Sequence, residues 1–228
     1  MSAPQRIRYR FDLPDGTQKF VDFSFDAVDF RLANTAPATA PFWTDLKFNQ
    51  CANCPLNPEE HPHCPAALQM AAAIEPLEAL ASFDTVGVTV IQEERTIYAQ
   101  TTAQQAMSSV LGLIMATAGC PWTDRFRPMA RFHLPFATEV ETVYRSVSMF
   151  LLARELGGTS HVQGFAALEK LYENLHVVNR DMSRRLGSAT RTDPAQNAMA
   201  LLDAYTTLLP AALESSLEEL KPLFDAWR

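Results

Sequence analysis

The sequence predicts an α+β fold: N-terminal antiparallel hairpins with a cysteine-rich loop, followed by a C-terminal helical bundle. Three observations predict it. Apolar and polar residues alternate in two pairs of short segments before residue 100, prolines crowd residues 51–65, and helical spacing with capping pairs dominates after residue 101. A single domain spanning residues 1–228 is expected, strand-rich over 1–100 and helical over 101–228.

Residues 6–25 form the first hairpin of this reading. Ile7, Tyr9 and Phe11 alternate with Arg6, Arg8 and Arg10, Pro14-Asp15-Gly16-Thr17 turns the chain, and Val21, Phe23 and Phe25 return. The arginine row is read as a solvated face, with Asp22 and Asp26 offering cross-strand carboxylates, rather than as an anion site. Residues 31–41 are small and proline-bearing and read as a loop, after which Phe42–Phe48 is expected to be a short strand. Pro55, Pro58, Pro62 and Pro65 exclude a regular element from the cysteine segment.

From Pro65 the chain turns helical through Leu68, Ala71, Ile74, Leu77 and Leu80, with a kink at Pro76. Val86, Val88 and Val90 open a second hairpin that returns through Ile97 and Ala99. Thr102 and Gln105 make a capping-box pattern for a helix ending at Gly119. Thr138 with Glu141 opens the next. Ser160 with Gln163 opens a third, carrying Leu168, Leu171, Tyr172, Leu175, Val178 and Met182. Asp193-Pro194 starts a fourth, and Pro210 and Pro222 punctuate the last helical stretch.

Composition sets limits on function. The chain has 228 residues, 47% hydrophobic and 20% charged, which suffices for a sizeable core. A net charge of −7 argues against broad association with nucleic acid or anionic lipid, since both depend on Lys and Arg neutralising phosphate. The longest apolar runs fall far short of the roughly 20 residues that span a bilayer. The N-terminal MSAPQRIRYRFDL lacks the apolar core of a secretory signal, so a cytoplasmic protein is expected. In that reducing compartment four cysteines point to metal or redox chemistry rather than to two disulfides.

Cys51 and Cys54 form a CxxC; nine residues separate Cys54 from Cys64, and 55 lie between Cys64 and Cys120. A CxxC offers two thiolates from one tight turn, a bite that zinc and iron-sulfur sites both use. With a third cysteine in the same loop and a fourth at a helix end, four ligands are complete and none is left over. Cys51, Cys54, Cys64 and Cys120 are therefore the expected metal ligands, with His61, His63 and His133 as alternates. Cys64 precedes Pro65 and is expected to cap the helix there, where backbone amides favour thiolate. Zinc is the first expectation for the metal, because four thiolates close a tetrahedral site, and an iron-sulfur cluster is the alternative. The plain alternative to both is a buried structural Cys120 beside a loop thiol pair. A thioredoxin-like dithiol is disfavoured, since that motif belongs near a βαβ pattern.

Residues 120–133 place Arg125, Arg127 and Arg131 among Trp122, Phe126 and Phe132. Arginine forks recognise oxyanions and stack on flat rings, so these three are candidates for a small anion, against the alternative of a loop anchored by aromatics. No Walker A, GxGxxG, GxSxG or HExxH pattern occurs.

Cys51-Ala52-Asn53-Cys54-Pro55-Leu56, His63-Cys64-Pro65 and the run from Gly112 through Gly119-Cys120-Pro121 to Phe136 resemble an uncharacterised family of bacterial cytosolic proteins. The resemblance spans roughly residues 6–180 and implies a bacterial cytoplasmic protein, without an activity to transfer. Three functions are then expected in order: a metalloprotein whose cysteine site supports a surface for a protein partner or small anionic ligand, an iron-sulfur redox or sensor protein, and a metalloenzyme with mixed Cys/His ligands. The helical half also offers faces for a homodimer.

Overall fold

The computed structural model describes residues 4–34, 37, 39–157, 164–188 and 194–227, apart from the side chains of 208–212, 214 and 227. β1 (Gln5–Asp12) and β2 (Gln18–Phe25) make the first hairpin, β3 (Thr85–Ile91) and β4 (Thr96–Thr102) the second. They join into one antiparallel sheet of order β2-β1-β3-β4, so β1 is central although it opens the chain. Period-two alternation explains why these residues form strands. Tyr9, Phe11, Phe25, Val86, Val88 and Val90 go to one face and are buried. On the other face Arg8 stands opposite Asp22 and donates to its carboxylate at 2.6 Å. Arg10 pairs with Asp12 at 3.2 Å and Thr89 at 3.0 Å, while Asp26 instead accepts from the Val28 and Asp29 amides. The arginine row is thus a solvated face with its own carboxylates.

Helices follow as α1 (Pro65–Ile74), α2 (Ala103–Thr117), α3 (Arg127–Arg131), α4 (Glu139–Leu156), α5 (Ala166–Gly187) and α6 (Pro194–Leu220). The Gln105 amide donates to the Thr102 side chain at 3.3 Å, and Thr138 with Glu141 makes a complete capping box. Pro76 lies in a 3-10 turn, Glu75–Leu77, that continues α1. The expected start at Ser160 and Gln163, and Asp193, lie outside the described residues. α6 runs through Pro210, and Pro222 sits in the terminal 3-10 segment Lys221–Trp227.

The apolar face of the sheet, α1, α2 and the adjoining ends of α5 and α6 share one core that includes Met70, Leu111, Ile114, Met182 and Met199. A smaller cluster joins α4, α5 and α6 through Val143, Val147, Leu168, Tyr172, Leu175 and Leu213. Among the described residues no helix is long and apolar enough to cross a membrane.

One expected element is replaced. Phe42–Phe48 is not a strand: Phe42–Thr44 is a 3-10 turn, and only a single bridge joins Asp45 to His63. Buried positions 43, 44 and 46 do not alternate. The carbonyls of Trp43, Asp45 and Leu46 are taken by the Arg185 guanidinium, at 2.6, 2.6 and 3.3 Å, rather than by a neighbouring strand.

Candidate metal centre

Each cysteine is presented by a different local device. Cys51 and Cys54 flank a turn closed by the Cys54 amide donating to the Cys51 carbonyl at 2.9 Å. α5 and the segment after Cys120 strap this turn down: the Ala52 amide donates to Asp181 Oδ2 at 2.9 Å, and the Trp122 indole to the Asn53 carbonyl at 2.7 Å. The Cys51 thiol lies 4.0 Å from the Val178 carbonyl. Cys64 is the N-cap of α1, as Pro65 at the first helical position predicts, and its amide donates to the Thr44 carbonyl at 2.8 Å. Cys120 follows Gly119, whose φ of +88° ends α2 in a conformation suited to glycine. The Cys120 carbonyl then accepts the Asp124 amide at 2.9 Å and starts the next turn.

All four thiols are free, and Cys64 is the most deeply buried. Burial pushes the Cys51 thiol up to about 12, and the neighbouring Cys64, Cys120, Asp181 and Cys54 add to the rise. The four cysteines are thus electrostatic neighbours. Burial also raises Cys64, opposed by the Ala67 amide, the Arg185 guanidinium and the Ala66 amide. The helix start acts on Cys64 in the direction the sequence predicts, but burial outweighs it. Among the described residues no three His, Cys, Asp or Glu side chains are grouped as they would be around one metal ion.

Arg185 is the residue that motif reasoning missed. It is 1% exposed, has no carboxylate partner among the described residues, and acts electrostatically on Cys64. Its Nε has no hydrogen-bond partner among the described residues. A buried cation without a counter-charge is costly. Read as sequence, Arg184-Arg185 looks like a solvated pair at a helix end. The signal lies in the spacing, since the stripe Leu175, Val178, Met182 continues with helical period to position 185. Asp181, 6% exposed, is a second such residue: it holds the Ala52 amide and pairs with Arg180 and Arg184.

The alternates go elsewhere. His61 is exposed. His63 Nδ1 lies 3.0 Å from Thr44 Oγ1 and 3.3 Å from Asp45. His133 is buried and shares a 2.5 Å hydrogen bond with the Tyr9 hydroxyl, which also bonds Ser109 Oγ at 2.9 Å. Burial pulls His133 down to about 3, so its ring is neutral. The three arginines of the anion candidate do not form a common fork: Arg125 stacks over Trp122, Arg127 pairs with Asp124 and Asp29, and Arg131 lies over Phe30 and Phe132 with Glu94 at 3.9 Å.

No curated protein and no solved structure matches this chain. A domain of unknown function, DUF6901, matches residues 7–225, nearly the whole hairpin-and-helix assembly together with all four cysteines, and the chain belongs to that family.

Proposed function

We propose that Cys51, Cys54, Cys64 and Cys120 together hold an iron-sulfur cluster, and that the protein has a redox or sensing role. The observation that carries this reading is Arg185, a buried cation with an unpartnered Nε and no carboxylate partner among the described residues, which acts on Cys64. Four thiolates around a cationic core carry net negative charge, which is the counter-charge this guanidinium lacks. Arginine N–H groups directed at cluster sulfurs also tune reduction potential. Cys51 feels the charges of the other three thiols, and a cluster of several irons can be held by four such ligands.

Structural zinc is the second reading, supported by the donor set itself: four thiolates would close a tetrahedral site. A metalloenzyme with mixed Cys/His ligands has less support, because His63 and His133 are engaged with Thr44, Asp45 and Tyr9. A bacterial cytoplasmic setting accompanies either reading, since unpaired thiols persist in reducing compartments. The partner of such a protein is a redox protein or a small anionic ligand.

Protein purified without oxygen is expected to carry iron and acid-labile sulfide with a broad visible absorption band, and Cys54→Ser to lose both while retaining its helical circular dichroism. Near-stoichiometric zinc in colourless protein would replace the cluster with a structural zinc site. Absence of both metals, before and after anaerobic reconstitution, would overturn the metal centre altogether.

A further inference from the structure

A cavity of about 240 Å³ opens among α2, α3, α4, α5 and α6, on the side of α2 that carries Ser109, with His133 in its lining. Its walls are mainly apolar, with Leu113, Phe126, Met129, Phe136, Leu175 and Leu202 among them. Partly exposed Gln105, Thr142 and Tyr205 give it an outlet to solvent. Cavities of this kind, apolar with a few placed polar groups, are where small molecules bind.

The polar groups decide the ligand class. Arg145 is the single charged side chain in the lining; its guanidinium donates to the Met129 and Phe132 carbonyls at 2.6 and 3.0 Å and pairs with no carboxylate among the described residues. His133 also lines the cavity but is neutral, so the wall carries one positive charge and no negative one. Burial lowers Arg145 from its ordinary value, with Glu141 and Tyr172 working against that, and the group remains a cation. Asn179 is 6% exposed and Ser108 5%, and both line the same space. Phe136 is held at φ +61°, a conformation a bulky residue rarely adopts and one that concentrates at ligand sites.

We propose that this cavity binds a small amphiphilic monocarboxylate, with the carboxylate near Arg145 and the hydrocarbon body along the apolar wall. One guanidinium with no second cation in the lining suits a monoanion rather than a phosphate or dicarboxylate, and the amide of Asn179 offers a further donor. Size follows from volume. An engineered apolar cavity of about 150 Å³ holds benzene, so this larger one suits an acid of roughly six to eight carbons. The cavity is separate from the cysteines in its lining, and the inference stands whichever metal they hold.

Titration calorimetry of the full chain with sodium octanoate tests it, with 1-octanol and suberate as comparison ligands. Saturable octanoate binding is expected, with octanol at least about tenfold weaker, as the loss of a charge-assisted hydrogen bond implies, and suberate also at least about tenfold weaker, because its second carboxylate would be buried without a cation. Arg145→Gln is expected to weaken octanoate by about tenfold or more and to abolish its preference over octanol. Arg145 also holds two backbone carbonyls, so a second variant, Asn179→Asp, places a like charge in the cavity at almost unchanged size. It is expected to reduce octanoate affinity by a similar factor while leaving octanol unaffected. Equal affinity for octanoate and octanol in the wild-type protein, or no saturable octanoate binding up to millimolar concentration, would overturn the proposal.

Discussion

His133 stores a pH dependence. Its ring is buried against the Tyr9 hydroxyl and titrates near 3, against an ordinary value of 6.5. The unfolded chain therefore binds the proton more readily throughout that window. Stability from His133 is complete above about pH 6.5 and is lost as pH falls toward 3, by up to about 1.4 kcal/mol for each pH unit. Urea midpoints between pH 7 and 5 are expected to fall more steeply for the wild-type chain than for His133→Gln, which keeps a polar partner for Tyr9 but does not titrate. Parallel slopes would show that His133 is protonated in the folded state. Arg185 illustrates the opposite accounting. Three backbone carbonyls satisfy part of its fork, yet no carboxylate among the described residues pairs with its charge, and that imbalance links a packing residue to Cys64.

At the scale of elements, the ends of helices aim the cysteines. Pro65 begins α1 and leaves Cys64 as its cap, while Gly119 ends α2 and turns Cys120 toward the CxxC turn. No side chain occupies the space a Cβ would take at Gly119, so Gly119→Ala adds backbone strain without a clash. It is expected to lower stability by about 1 kcal/mol and to reduce metal content more than that loss accounts for, because the next residue is a ligand of the proposed centre. Denaturation midpoints with metal analysis on the same preparation check this. The hairpins, α2 and α4 were legible in the sequence because their rules are local: alternation of side chains, and a capping side chain within four residues of the amide it meets. The Phe42–Phe48 segment was not legible in the same way, since its carbonyls are satisfied by an arginine some 140 residues away.

Across the molecule, cohesion is uneven. α2 is buried along most of its length between the sheet and α6, whereas α4 buries only Val143, Ser146 and Val147 and leaves Tyr144, Leu151, Leu152 and Leu156 substantially exposed. Segments with few buried apolar contacts open at lower free energy than the core. Hydrogen exchange followed by mass spectrometry is expected to show α4 amides exchanging well before those of α2 and β1, and simultaneous exchange of the three would show a single cooperative unit. The larger core unites the sheet with α1, α2 and the ends of α5 and α6, and the cysteines lie at its margin, where Asp181 and Arg185 of α5 reach the loop.

Sequence alone determined the α+β class, most element positions and the grouping of three of the four cysteines in one loop, because periodicity, caps and cysteine spacing are properties of neighbours along the chain. Tertiary structure decided what surrounds them. It brought Arg185 and Asp181 to the cysteine loop, sent His133 to Tyr9, and gathered Arg145, Asn179 and Ser108 around one cavity. Those placements depend on which helix faces meet across long loops, a matter of burial and charge compensation among residues far apart in the chain, which no local pattern encodes.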